Sequence, residues 1–290
     1  MTIMPFALLL SLALVGDIKP DPDLFPLALH RSMEIDDLDR EIEQLHHSVL
    51  MKRAQLGSTQ RLAQKGLVSR GDLERETADV RYNEAREEEA VAFRALKAYE
   101  RDVMGQVIPS DERKAYRLLL ERVRKQLAIA QVDLDYREYL QKQTKALFAR
   151  NSVNRQEMED AELNFNTAQA SVALSRSREA QVMMELAVRN GEKPYDPAEY
   201  HRLKREYLNA RVGYFEINED SARKRLGIAR ARIRLGLIPS AELGLFEKGA
   251  KDAADSLAAE RKILEHHETE SPDLPPKRSV DRSEKKLRKS

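Results

Sequence analysis

Apolar residues recur at alternating steps of three and four through most of this chain. Ile35, Leu38, Ile42, Leu45 and Val49 begin the pattern, which is the a/d spacing that lays one narrow stripe of a helix against a partner. Tyr116, Leu120, Val123, Leu127, Ala130 and Leu134 repeat it, and Tyr200, Leu203, Tyr207, Ala210, Tyr214 and Ile217 form its cleanest version. Between these stripes run three that are richer in alanine. The first holds Ala78, Tyr82, Ala85, Ala92, Leu96, Tyr99 and Val103 and is interrupted by Glu89. The others centre on Ala161, Phe165, Ala168 and Val172, and on Phe246, Ala250, Ala253 and Leu257. Six amphipathic helices of roughly 30–40 residues follow, each on the order of 50 Å long. No segment alternates with the period of two that a strand requires.

The stripes are punctuated three times by one short signal. Its copies start at Gly66, Asn151 and Gly236, with offsets 151 − 66 = 85 and 236 − 151 = 85. Gly, Asn and Gly accept the left-handed conformation that ends a helix. Two residues later stand Val68, Val153 and Ile238, each five residues before Leu73, Met158 or Leu243, the N′-to-N4 spacing of a hydrophobic staple. Ser69 and Asn154 are placed to cap the next helix, with Asp72 and Glu157 at the capping-box position. In the third copy Pro239 takes the cap position, leaving Ser240 as the capping candidate, and Glu242 keeps the acidic place. A helix that stops, turns in about two residues and restarts lies antiparallel to its neighbour.

The expected fold is therefore all-α: three 85-residue antiparallel coiled-coil hairpin repeats, six long helices in an elongated arrangement. The hairpins cover residues 33–106, 107–192 and 193–268. Gly105 and Pro109 end the second helix, and Ser110 is placed to cap the third. Asn190-Gly191 stops the fourth helix, and Asp196-Pro197-Ala198-Glu199 supplies an N-cap, a proline at N1 and an acid at N3 for the fifth. The pattern leaves open whether the hairpins close into one bundle or stand side by side.

Outside the repeats, residues 1–16 form an apolar run that fits a signal peptide or an N-terminal anchor, without a positive n-region. Residues 17–32 carry Pro20, Pro22 and Pro26 and form a linker. Residues 269–290 form a basic tail with the composition of a disordered segment.

Composition removes several functional classes. The 290 residues hold 50 Lys or Arg against 49 Asp or Glu, so nothing marks a nucleic-acid binder overall. With no Cys, thiol catalysis and disulfides are excluded. No phosphate loop, nucleophile elbow or H-E-x-x-H occurs, so no catalytic residue and no cofactor are expected. The pairs His46-His47 and His266-His267 are adjacent in sequence and point apart on a helix, so no metal is expected either. Glu87-Glu88-Glu89 and Glu219-Asp220 are expected to be ion-pair partners on charged helices.

The segments Ala63–Leu73 and Phe148–Met158 resemble the hairpin tip of the periplasmic adaptors, the membrane fusion proteins related to hemolysin secretion protein D. The segment Arg234–Leu243 is similar to the tip of TolC-type outer-membrane efflux proteins. Ser58 and Gln143 stand where drug-efflux adaptors carry the arginine of their docking motif, and the third copy lacks that motif. The resemblance covers residues 33–268. It implies a non-enzymatic protein of the periplasm or cell envelope that forms or bridges part of a transport or secretion assembly. Protein partners would meet Leu67, Val68, Ser69, Ser152, Val153, Asn154, Leu237 and Ile238, and an envelope transport component is among them. It also implies a homo-oligomer, since both families ring six hairpins and two copies of this chain would supply them. The alternative is a structural scaffold, cytoplasmic or envelope-attached, that holds protein partners without a transport role. Membrane contact is expected through the N-terminus or the basic tail.

Overall fold

The computed structural model describes residues 35–237 and 239–270. The signal or anchor at 1–16, the linker at 17–32, the tail beyond Glu270 and Ile238 lie outside the described residues. Six long helices run α1 Ile35–Gln64, α2 Arg70–Met104, α3 Glu112–Phe148, α4 Arg155–Asn190, α5 Pro197–Arg234 and α6 Leu243–Glu270. They hold 30, 35, 37, 36, 38 and 28 residues. Among the described residues there is no strand.

Each helix packs on its neighbours in the chain, and contacts between non-consecutive helices are at most marginal. The six therefore form an open, up-and-down row. The hairpins stand side by side and do not close into a bundle, which decides between the two arrangements left open by the sequence.

Within each hairpin, polar side chains fix the register. Across α1 and α2, His46 meets Glu87 at 2.8 Å, Lys52 meets Asp79 at 2.9 Å and Gln55 donates to Glu76 at 2.7 Å. One index rises as the other falls, as antiparallel arms require. Both acidic clusters do serve as ion-pair partners: Glu88 holds Lys125, Glu89 holds Arg122, Glu219 holds Arg223 and Asp220 holds Lys224. Glu89, the interruption in the α2 stripe, thus faces α3, and Arg122 also lies 3.5 Å over the Phe93 ring.

The core lies toward the end opposite the turns at 66, 151 and 236. Leu96, Tyr116, Leu119, Leu120, Val123 and Val182 join α2, α3 and α4. Met184, Val188, Tyr200 and Leu203 join α4 and α5. At this base the Arg189 guanidinium lies 3.9 Å over the Tyr116 ring, pairs with Glu185 and reaches Glu112 at 3.1 Å.

Two expectations about the base are corrected. Gly105 has an ordinary φ of −76°, and Gln106 takes the left-handed position at φ 58°. Its N–H donates to Val103 at 3.1 Å, and that of Val107 donates to Asp102 at 2.8 Å, the paired bonds of a Schellman motif. Asp111, not Ser110, is the N-cap of α3. Its carboxylate accepts from the Lys114 N–H at 3.1 Å, and its backbone is clamped from both sides by the Tyr99 hydroxyl. The 85-residue offset reaches these positions too, since 191 − 106 = 85 and 196 − 111 = 85, and Gly191 and Asp196 do the same two jobs at the second base loop. A glutamine in the left-handed region carries a steric cost that glycine avoids. Gln106→Gly is expected to stabilise the chain by roughly 0.5–1 kcal/mol, measured by urea unfolding at unchanged m-value.

At the base of the third hairpin the His267 ring stacks on His201 with centroids 5.4 Å apart, and its Nε2 lies 3.3 Å from the His201 carbonyl. Burial holds the His267 imidazole below its usual pKa, with Lys204, His201 and Arg205 acting in the same direction and the His201 carbonyl opposing them. The unfolded chain therefore binds this proton more readily than the folded one. The α5–α6 base should be fully stable above about pH 6.5 and loosen as pH falls through the lowered value. Hydrogen exchange at the end of α6 should accelerate between pH ~7.5 and ~5 after correction for intrinsic rates, and His267→Phe should remove most of that dependence.

Candidate docking site at the hairpin tips

The three turns are built alike to within the precision of a bond length. In each, the N–H of the left-handed residue donates back three residues: Gly66 to Ala63, Asn151 to Phe148 and Gly236 to Ile233, all at 2.9 Å. The next N–H donates back five: Leu67 to Leu62, Ser152 to Leu147 and Leu237 to Arg232, again at 2.9 Å. These are three Schellman motifs, with φ of 70°, 55° and 68° at the left-handed position. Gly suits that φ because it has no Cβ, and Asn is the side chain that tolerates it best.

The restarts differ. Asn154 closes a full capping box: its side chain accepts from the Glu157 N–H at 2.9 Å, and Glu157 accepts from the Asn154 N–H at 3.0 Å. Ser69 makes half of one. It accepts from the Asp72 N–H at 3.1 Å, while its hydroxyl donates to the Asp72 carboxylate at 2.7 Å. Pro239 occupies the third cap with no side-chain bond, and the chain passes through a single 3-10 turn, Ser240–Glu242, before α6. Ser240 lies inside that turn and does not replace the cap.

The eight residues expected to meet partners thus divide by role. Val68 and Val153 are half-buried, as are Leu73 and Met158 at the other end of each staple spacing. The Ser69 and Asn154 side chains are committed to caps. Leu67, Ser152 and Leu237 are exposed at the turn apices and open to contact. Ile238 lies outside the described residues. Sequence reasoning missed Leu235 and Phe148, which are exposed large apolar side chains beside the turns. The 85-residue offset could not flag them, because the equivalent positions hold Lys65, Arg150, Ala63 and Ile233. Leu62 and Leu147, which the offset does pair and which fit the leucine of the adaptor docking motif, are exposed as well.

All three tips lie at one end of the row without being level. A Cβ on Gly71 would come within 3.7 Å of the Tyr139 hydroxyl, so the start of α2 sits beside a residue about nine positions before the end of α3, or ~13 Å at helical rise. The second tip overshoots the first.

Elsewhere the surface is grooved between helices. A cleft of about 680 Å³ between α4 and α5 is lined by Leu163, Ala170, Ala173, Gly213 and carboxylates including Glu162 and Asp220. Among the described residues no group of three or more His, Asp or Glu could hold a metal ion. No described helix is long and apolar enough to cross a membrane. Comparison with known protein families, characterised proteins and solved structures finds no match to this chain.

Proposed function

We propose that this is a non-enzymatic coiled-coil protein of the cell envelope. Its three-hairpin row spans a gap between envelope components and docks by its tips, forming or bridging part of a transport or secretion assembly. The observation that carries the reading is the same Schellman turn built three times at one end of the row, with Leu67 and Leu237 turned to solvent. Its likeness to adaptor and TolC-type tips supplies the envelope setting.

The lateral edge offers less to a partner. Ala85 and Ala92 of α2 are buried, whereas their equivalents in α6, twice the repeat further on, are the exposed Asp255 and Lys262. A polar outer face is what ends a repeat array. A two-copy ring closed edge to edge would bury those charges, so contact through the tips is the better-supported mode. Light scattering with mass determination should give one copy per particle for tip docking and two for the ring.

The array's cross-arm ion pairs equally suit the second reading, a stiff scaffold without a transport role. Location separates the two. Cell fractionation followed by photocrosslinking from residue 68 or 153 should place the protein in the envelope and capture a defined envelope component. Recovery in the cytosol with intact Met1 would overturn the envelope reading in favour of the scaffold.

A further inference from the structure

We propose that the tip of the third hairpin enters the headgroup layer of an anionic bilayer. The inference rests on reading the tips as contact ends, and it names the surface that this one tip meets.

The third tip is unlike its sisters in side chains while sharing their backbone. Leu235, Leu237 and Leu245 are 72%, 67% and 74% exposed. The first tip shows Leu62 at 41% and Leu67 at 69%, and the second shows Leu147 at 40% and Phe148 at 42% around an apical Ser152. In a Schellman turn the residue after the left-handed position ordinarily packs back on the helix. Here its mate is Arg232, and Leu237 stands in water. Three leucines of this exposure flank one turn. They form an apolar point.

Around that point basic side chains outnumber acids: Arg230, Arg232, Arg234 and Lys248 stand against Glu242 and Glu247. From residue 221 to 241 the chain holds Arg223, Lys224, Arg225, Arg230, Arg232 and Arg234 and no acid. Arg223, Lys224 and Arg230 are paired with Glu219, Asp220 and Glu247. Arg225, Arg232 and Arg234 make no ion pair among the described residues. An apolar point inside a collar of arginines matches a surface that is anionic at the headgroups and apolar just beneath, and arginine stems can lie along apolar material while their heads stay at the interface. A second copy is disfavoured as the occupant, because two such tips repel.

The chain has no cysteine, so Leu237→Cys in the full-length protein carries a polarity-sensitive fluorophore at one place. Val107→Cys, exposed at the base, serves as control. With vesicles of phosphatidylcholine containing about 30% phosphatidylglycerol, the probe at 237 should shift to the blue, and the probe at 107 should not. Pure phosphatidylcholine should give no shift. Adding Arg232→Glu and Arg234→Glu should weaken the effect about tenfold or more. No shift at 237, an equal shift on neutral vesicles, or indifference to the charge reversals would overturn the proposal. Capture of a defined protein at 68 or 153 without vesicle binding at 237 would sink the lipid contact alone and leave tip docking standing.

Discussion

Arg189→Met should destabilise the base of the row by about 3–5 kcal/mol, a large share of the stability of an ordinary domain. The Glu185 carboxylate is 1% exposed, and Arg189 is its ion-pair partner on the next turn of α4. Removing the guanidinium takes the α4 cation away from that buried carboxylate, and a buried charge that loses a paired cation is costly. It also strips the cation from the Tyr116 face. The reciprocal change should be milder. In Glu185→Leu, Arg189 keeps the more exposed Glu112 at 3.1 Å and the Tyr116 ring. The double variant Glu185→Leu/Arg189→Met should recover most of the loss, since a well-packed apolar pair replaces a desolvated ionic one. Urea unfolding of the four proteins forms a double-mutant cycle. An Arg189→Met protein within about 1 kcal/mol of the parent would show that the pair is solvated and that the base core is looser than its packing indicates.

The same cluster shows where sequence reasoning stops. Periodicity finds one stripe per helix, and the stripes it found are buried at Leu38, Leu45 and Val49 on α1 and at Leu203 and Tyr207 on α5, although Leu203 packs on α4 and so joins two hairpins. The interior helices have two neighbours each. Their second faces hold Leu119, Leu208, Met184 and Val188, all buried and none on the stripes. They also hold Gln181 and Glu185, which no hydrophobic pattern could select because they are polar. Glu89 looked like a flaw in a stripe and is an inter-hairpin contact. Tyr82, placed on that stripe, is exposed.

Turn chemistry was legible where glycine or asparagine marks it. It failed at Gln106, where a residue without that mark takes the left-handed position. The repeat itself held the remedy: stepping back 85 residues from Gly191 and Asp196 lands on Gln106 and Asp111. The candidate site was legible as three turns. Which side chains face water was not, because staple and cap consume half of those named, and exposure depends on how the neighbouring arms lean.

An open row in which each helix packs chiefly on its chain neighbours should also lose stability locally. Leu38, Val123 and Leu208 occupy equivalent positions of the three repeats and are each 1% exposed. Leu38→Ala and Leu208→Ala should each cost about 2–5 kcal/mol at the site, yet with different reach. Among the described residues helix α1 packs chiefly on α2, so the loss at Leu38 falls mainly on one terminal interface. Stability in such arrays is close to a sum of unit and nearest-neighbour terms. Hydrogen exchange should therefore rise through α1 and the facing side of α2 in Leu38→Ala, while α4 and α5 keep their protection. Val123→Ala removes less side chain and sits where α2, α3 and α4 share one core, so its smaller perturbation should spread across both adjoining hairpins. If Leu38→Ala instead raised exchange evenly from α1 to α6, the six helices would be one cooperative unit. Coupling would then have to pass along the base, through Tyr116, Arg189 and Tyr200, rather than decay from hairpin to hairpin.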